Sequence, residues 1–140
     1  MFNGKQQPLA LSGFLIEAQV LLTTAEECLN HLRLIHDDED ALNCMLATLL
    51  KLNVRAAALG VSPVASFCQT LRSLLKETRN AGPLSSSTVE TLNDCFALLG
   101  WQLELIDVET GQLELDEAEQ HELIETFKAQ IRAEQNSPPT

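Results

Sequence analysis

Met45 to Gly60 reads MLATLLKLNVRAAALG. Leu46, Leu49, Leu52, Ala56 and Leu59 recur in it at spacings of three and four, the period of one helical face. Gly60 stands where a helix ends on a left-handed cap. Upstream, Asp37-Asp38-Glu39-Asp40 supplies N-cap oxygens and first-turn negative charge. The stretch therefore belongs to a helix from about Glu39 to Leu59, with Leu42, Met45, Leu46, Leu49, Leu52, Ala56 and Leu59 inward.

The same rhythm extends in both directions. Phe14, Ala18, Leu21, Ala25, Cys28, Leu32 and Ile35 alternate steps of four and three, flanked by Leu15, Leu22 and Leu29. They predict an amphipathic first helix from about Ser12 to His36. Downstream, Ser62-Pro63 opens a third helix with Val64, Phe67, Leu71, Leu74, Leu75 and Thr78 inward, and Asn80-Ala81-Gly82-Pro83 stops it. Ser87-Thr88-Val89-Glu90 reads as a capping box for a fourth helix carrying Leu92, Cys95, Phe96, Leu99, Leu103 and Ile106. Asp107 to Gly111 reads as a turn. Asp116-Glu117-Ala118-Glu119 reads as a cap for a fifth helix with Leu123, Ile124, Phe127 and Ile131 inward. Only Gln112-Leu113-Glu114-Leu115 shows strand alternation, and it is short. Short links between long helices favour antiparallel neighbours. The expected fold is all-α: an up-down four-helix bundle with an additional C-terminal helix. Residues 1–11 are expected as a flexible N-terminus, 12–135 as one helical bundle and 136–140 as a frayed tail.

With 140 residues and 45% apolar content, the chain can bury one core. Aromatic residues make up only 4%, with no tyrosine, which suits aliphatic helix packing. No run reaches the roughly 18 apolar residues of a membrane span. The N-terminus MFNGKQQPLA makes a poor secretion signal, so the expected compartment is the cytoplasm. A net charge of −11 argues against nucleic acid as a partner. The charge is uneven. From Thr48 to Arg79 the basic residues Lys51, Arg55, Arg72, Lys76 and Arg79 face one acid, Glu77, whereas acids dominate from Glu104 to Glu134. A basic face of this kind suits an acidic partner; an ordinary solvated surface is the plain alternative. Cys28, Cys44, Cys68 and Cys95 stand singly, without metal-ligand spacing or a disulfide framework, and are expected as buried thiols. No metal or cofactor is implied.

A long first helix, an acidic link, a helix closing in A-x-x-L-G, a proline-opened third helix and a fourth resemble the histidine-phosphotransfer (HPt) domain. The likeness is to the one at the N-terminus of chemotaxis histidine kinases, and it covers about Phe14 to Asp107. Phe14-Leu15-Ile16-Glu17-Ala18 is similar to that family's opening, and the fifth helix, about 116–134, lies outside the likeness. In the family the second helix carries H-x-x-K-G-S, followed by Leu-Gly about ten residues on. Counting back from Leu59-Gly60, the resemblance puts Leu50 at the phosphoacceptor histidine, Asn53 at the lysine, Val54 at the glycine and Arg55 at the serine. Leucine is neither nucleophile nor leaving group for a phosphoryl transfer. Valine adds a β-branched side chain where glycine would leave room. On this frame phosphotransfer at the site is excluded, and no catalytic residue is expected.

At about 100° per residue, Leu50 lies about 100° and Val54 about 140° from the centre of the core stripe. The expected partner-binding set is Leu50, Lys51, Asn53, Val54 and Arg55, an apolar pair beside a basic pair. The alternative is that the fifth helix covers Leu50 and Val54. His31, His36 and His121 lack the family's local pattern and read as surface histidines. The resemblance implies a non-catalytic, pseudo-phosphotransfer module that binds a response-regulator receiver or a histidine kinase. Two alternatives stand beside it: a helical adaptor or oligomerisation protein, with a homodimer as one form, and a phosphocarrier using another histidine, His31 first.

Overall fold

A computed structural model describes residues 6–79, 82–107, 110 and 117–136. Five α-helices account for nearly all of them: α1 Gln6–Leu34, α2 Glu39–Ala58, α3 Ser62–Arg79, α4 Ser86–Leu105 and α5 Ala118–Asn136. The chain is all-α, with no strand among the described residues. The possible strand at Gln112–Leu115, Asp116 of the fifth cap, Asn80-Ala81 and the final tail from Ser137 lie outside them.

Helix α1 begins six residues before the expected Ser12. Leu11 is the reason: it is buried and continues the stripe of Phe14, Ala18, Leu22, Ala25, Leu29 and Leu32 one turn back. Ile35, expected inward, is 54% exposed because the helix ends at Leu34 and the chain turns away. Helix α2 matches its expected limits. Asp38 accepts a hydrogen bond from the Ala41 N–H at 3.1 Å as N-cap, and Gly60 takes φ +77°. A residue with a Cβ would be strained there.

The start of α4 differs from the expected capping box. Ser85 is the N-cap: its hydroxyl accepts from the Thr88 N–H at 3.1 Å. Ser85 occupies the extended conformation that an N-cap needs, and Ser87 is already inside the helix. Glu90, freed from capping, pairs with Arg33 of α1 at 2.8 Å. On α4, Gly100 lies where an added Cβ would sit 3.2 Å from Leu22 Cδ2, so the missing side chain lets α1 and α4 approach closely.

The order of neighbours round the bundle is α1–α2–α3–α5–α4 and back to α1. Helices α3 and α4 touch each other only lightly. Between them lies α5, which buries Ile124, Phe127 and Ile131 while half-burying Leu123. The fifth helix is thus part of the ring rather than an appendage to a closed four-helix unit. Its register is marked by one buried amide pair, in which Gln102 Nε2 on α4 donates to Gln120 Oε1 on α5 at 2.9 Å.

Phe127→Ala should lower unfolding free energy by about 3–5 kcal/mol, the range for a fully buried aromatic, read by urea denaturation. A loss below about 1 kcal/mol would mean that α5 is peripheral. Ser85→Ala should cost about 1 kcal/mol, the usual loss of an N-cap, with Ser87→Ala near neutral on the same assay.

Candidate functional site

The α2 surface follows from this ring. Because α5 packs on α3 and α4, it leaves the outer face of α2 uncovered. Leu50 is 40% and Val54 56% exposed, in the order their helical angles require. Covering by the fifth helix is therefore ruled out. Asn53, on the α3 side of the same turn, is half-buried.

The charges around this pair differ from the expected basic couple. Lys51 is exposed, and among the described residues it has no ion-pair partner. Arg55 instead turns to α1, where its guanidinium meets Glu17 at 3.1 Å. Its position, about 120° from the stripe on the side opposite Leu50, aims it there. The second cation near Leu50 comes from α3. Arg72 Nε donates to the Leu46 carbonyl at 3.2 Å, and in an α-helix that carbonyl also receives the Leu50 N–H. The Arg72 side chain thus lies over the turn that carries Leu50. Gln69 and Lys76, three and four residues from Arg72, continue the same row of α3 and are exposed. Glu77, five residues from Arg72, points about 140° away. Arg72 was visible in the sequence as one of a basic group, but its place beside Leu50 required the α2–α3 packing.

Comparison with family models, curated proteins and solved structures finds no match.

The three histidines are dispersed. His31 and His36, at the end of α1 and just after it, are exposed. His36 borders a small cleft of about 170 Å³ with Asp37, Asp38 and Leu84. His121 is exposed on α5 in a cleft with Glu117, Glu125 and Lys128. No histidine shares the Leu50 face. Among the described residues, no group of His, Cys, Asp and Glu could hold a metal ion, and no helix is long and apolar enough to cross a membrane. A second surface was missed in the sequence. Trp101, 51% exposed, sits in a cleft of about 930 Å³ between α4 and α5, with Asp94, Glu104, Glu119 and Glu122 around it. Trp101 and Leu105 are one turn apart on the outer side of α4, a spacing that could have flagged it.

Three cysteines are buried as expected, and Cys44 is exposed, on the edge of α2 beside α1. Burial raises the Cys68 and Cys95 thiols from 9.0 to about 12. Cys28 is raised to about 12 as well, by burial first and then by the neighbouring Cys44 thiol. The unfolded chain releases these protons near pH 9 while the folded chain holds them to about 12. Folded stability is therefore fully present below pH 9 and declines above it. The urea midpoint should drop across that alkaline range. In Cys68→Ala the drop should be shallower, whatever the variant's stability at neutral pH.

Proposed function

We propose that this chain is a non-catalytic binding module of HPt-like build. Its α2–α3 face docks on a response-regulator receiver or a histidine kinase without carrying phosphate. The observation that carries the reading is the exposed Leu50–Val54 pair, standing where the family frame calls for a reactive histidine and a glycine. Leu50 has no atom that can accept or release a phosphoryl group. What it offers is apolar area at the centre of a patch, with Lys51 and Arg72 beside it. Interfaces of this composition place an apolar centre within a polar rim, where the charges set encounter rate and orientation. On a chain of net charge −11, such a face is the region that an acidic partner approaches without repulsion.

A second reading, a helical adaptor outside phosphorelay, draws on the Trp101 cleft. The chain carries two well-separated surfaces of opposite charge, each with exposed apolar residues, as a protein bridging two partners would.

The test is binding to receivers and kinases from the same cell. Leu50→Asp should weaken the complex about tenfold or more, as for loss of a central apolar contact. Lys51→Glu should slow association and reduce its salt dependence. Lys51 serves better than Arg55, whose reversal would set two carboxylates together at Glu17. Unchanged binding in both variants, with helical content intact, would remove this face from the interface. Phosphate on His31, His36 or His121, read by mass spectrometry under conditions that preserve phosphohistidine, would make the chain a carrier.

A further inference from the structure

The α1–α2 seam places two thiols against each other. The helices form an antiparallel hairpin, so residues whose numbers share one sum lie level. Glu17 and Arg55, in contact at 3.1 Å, fix that sum. Eleven residues further along α1 and eleven back along α2 are Cys28 and Cys44, which have the same sum. Eleven residues are about three turns and return to the same side of a helix within about 20°. The two cysteines therefore fall level on the facing sides of the seam. The electrostatics of the seam accord with this placement: after burial, the Cys44 thiol is the next cause that raises Cys28. Ala25 and Ala41, both buried, are small residues next to this point on the two helices.

The two sulfurs differ in access. Cys44 is exposed, and Cys28 is 7% exposed. We propose that Cys28 and Cys44 are a redox-modification site, at which hydrogen peroxide oxidises the pair to a disulfide joining α1 to α2. The Cys44 sulfur meets the oxidant first. It attacks one peroxide oxygen; the O–O bond breaks, an S–O bond forms, and water leaves. The resulting sulfenic acid faces Cys28. The Cys28 sulfur then attacks the Cys44 sulfur, forming the S–S bond as the S–O bond breaks. The hydroxyl departs with the Cys28 proton as a second water. Two thiols are oxidised by two electrons in all, and one peroxide is reduced to two waters.

Burial holds Cys28 as a thiol, which keeps it inert toward bulk oxidant; contact with Cys44 supplies its route to reaction. Cys68 and Cys95 are buried on other helices and are shielded from the same chemistry. The bond would close a loop spanning the acidic Asp37–Asp40 link. It would join the helices on the side of α2 away from Leu50, so the inference does not depend on the docking reading.

The experiment uses the reduced full-length chain and hydrogen peroxide, quenched with an alkylating reagent. The expected product is a monomer lighter by two hydrogens, with two cysteines protected from alkylation and a proteolytic fragment linking Cys28 to Cys44. Its urea midpoint should rise and return to the reduced value on adding dithiothreitol. Cys44→Ser, a surface change that leaves the core intact, should abolish the mass loss. Cys28→Ala should leave Cys44 as a sulfenic acid that dimedone traps. Direct over-oxidation of Cys44 in the wild-type chain, or dimers linked through Cys44 without the internal bond, would overturn the proposal.

Discussion

The burial of Ile124, Phe127 and Ile131 between α3 and α4 is the contact on which the rest of this structure depends. Those two helices barely meet, so without α5 the sides they turn toward each other would be wet. The consequence reaches beyond the core. A fifth helix spent on the α3–α4 gap is unavailable to α2, and the outer face of α2 therefore stays bare. A packing requirement on one side of the bundle thus determines what the other side can present. The single amide pair Gln102–Gln120 complements the apolar contact by marking one register of α5 against α4, because a slipped helix would bury both amides without partners.

Much of this was legible because helical periodicity and chain punctuation are local properties. The stripes of α2 and α3 were read residue by residue, and Asp38 and Gly60 mark the ends of α2 as their chemistry requires. The errors arose where a choice among similar residues depends on geometry. Three consecutive serines, Ser85 to Ser87, stand at the start of α4, and only the backbone conformation selects Ser85 as the cap. Leu11 and Ile35 are both apolar extensions of the α1 stripe. Which end joins the core depends on where the chain turns. The place of α5 was not readable, since an amphipathic stripe says that a helix buries one side but not against which neighbours.

The candidate site shows the same division. The exposure of Leu50 and Val54 followed from angle counting within one helix. The identity of the neighbouring cation did not, because Arg55 and Arg72 are equivalent in composition and opposite in direction. Arg55 is held by Glu17 on α1, and Arg72 reaches across from α3 to an α2 carbonyl. Charge segregation was visible along the sequence, and packing turned it into two separate surfaces, one cationic around Leu50 and one anionic around Trp101.

The ring order also sets a sequence of events during synthesis. Helices α1, α2 and α3 are consecutive and can pack as they emerge, whereas closure waits for a helix near the end of the described chain. Until α5 clears the ribosome, the sides of α3 and α4 that receive Phe127 remain open to water and to other chains. The interval between the emergence of α4 and the emergence of α5 is therefore the window in which the nascent protein is most exposed to aggregation.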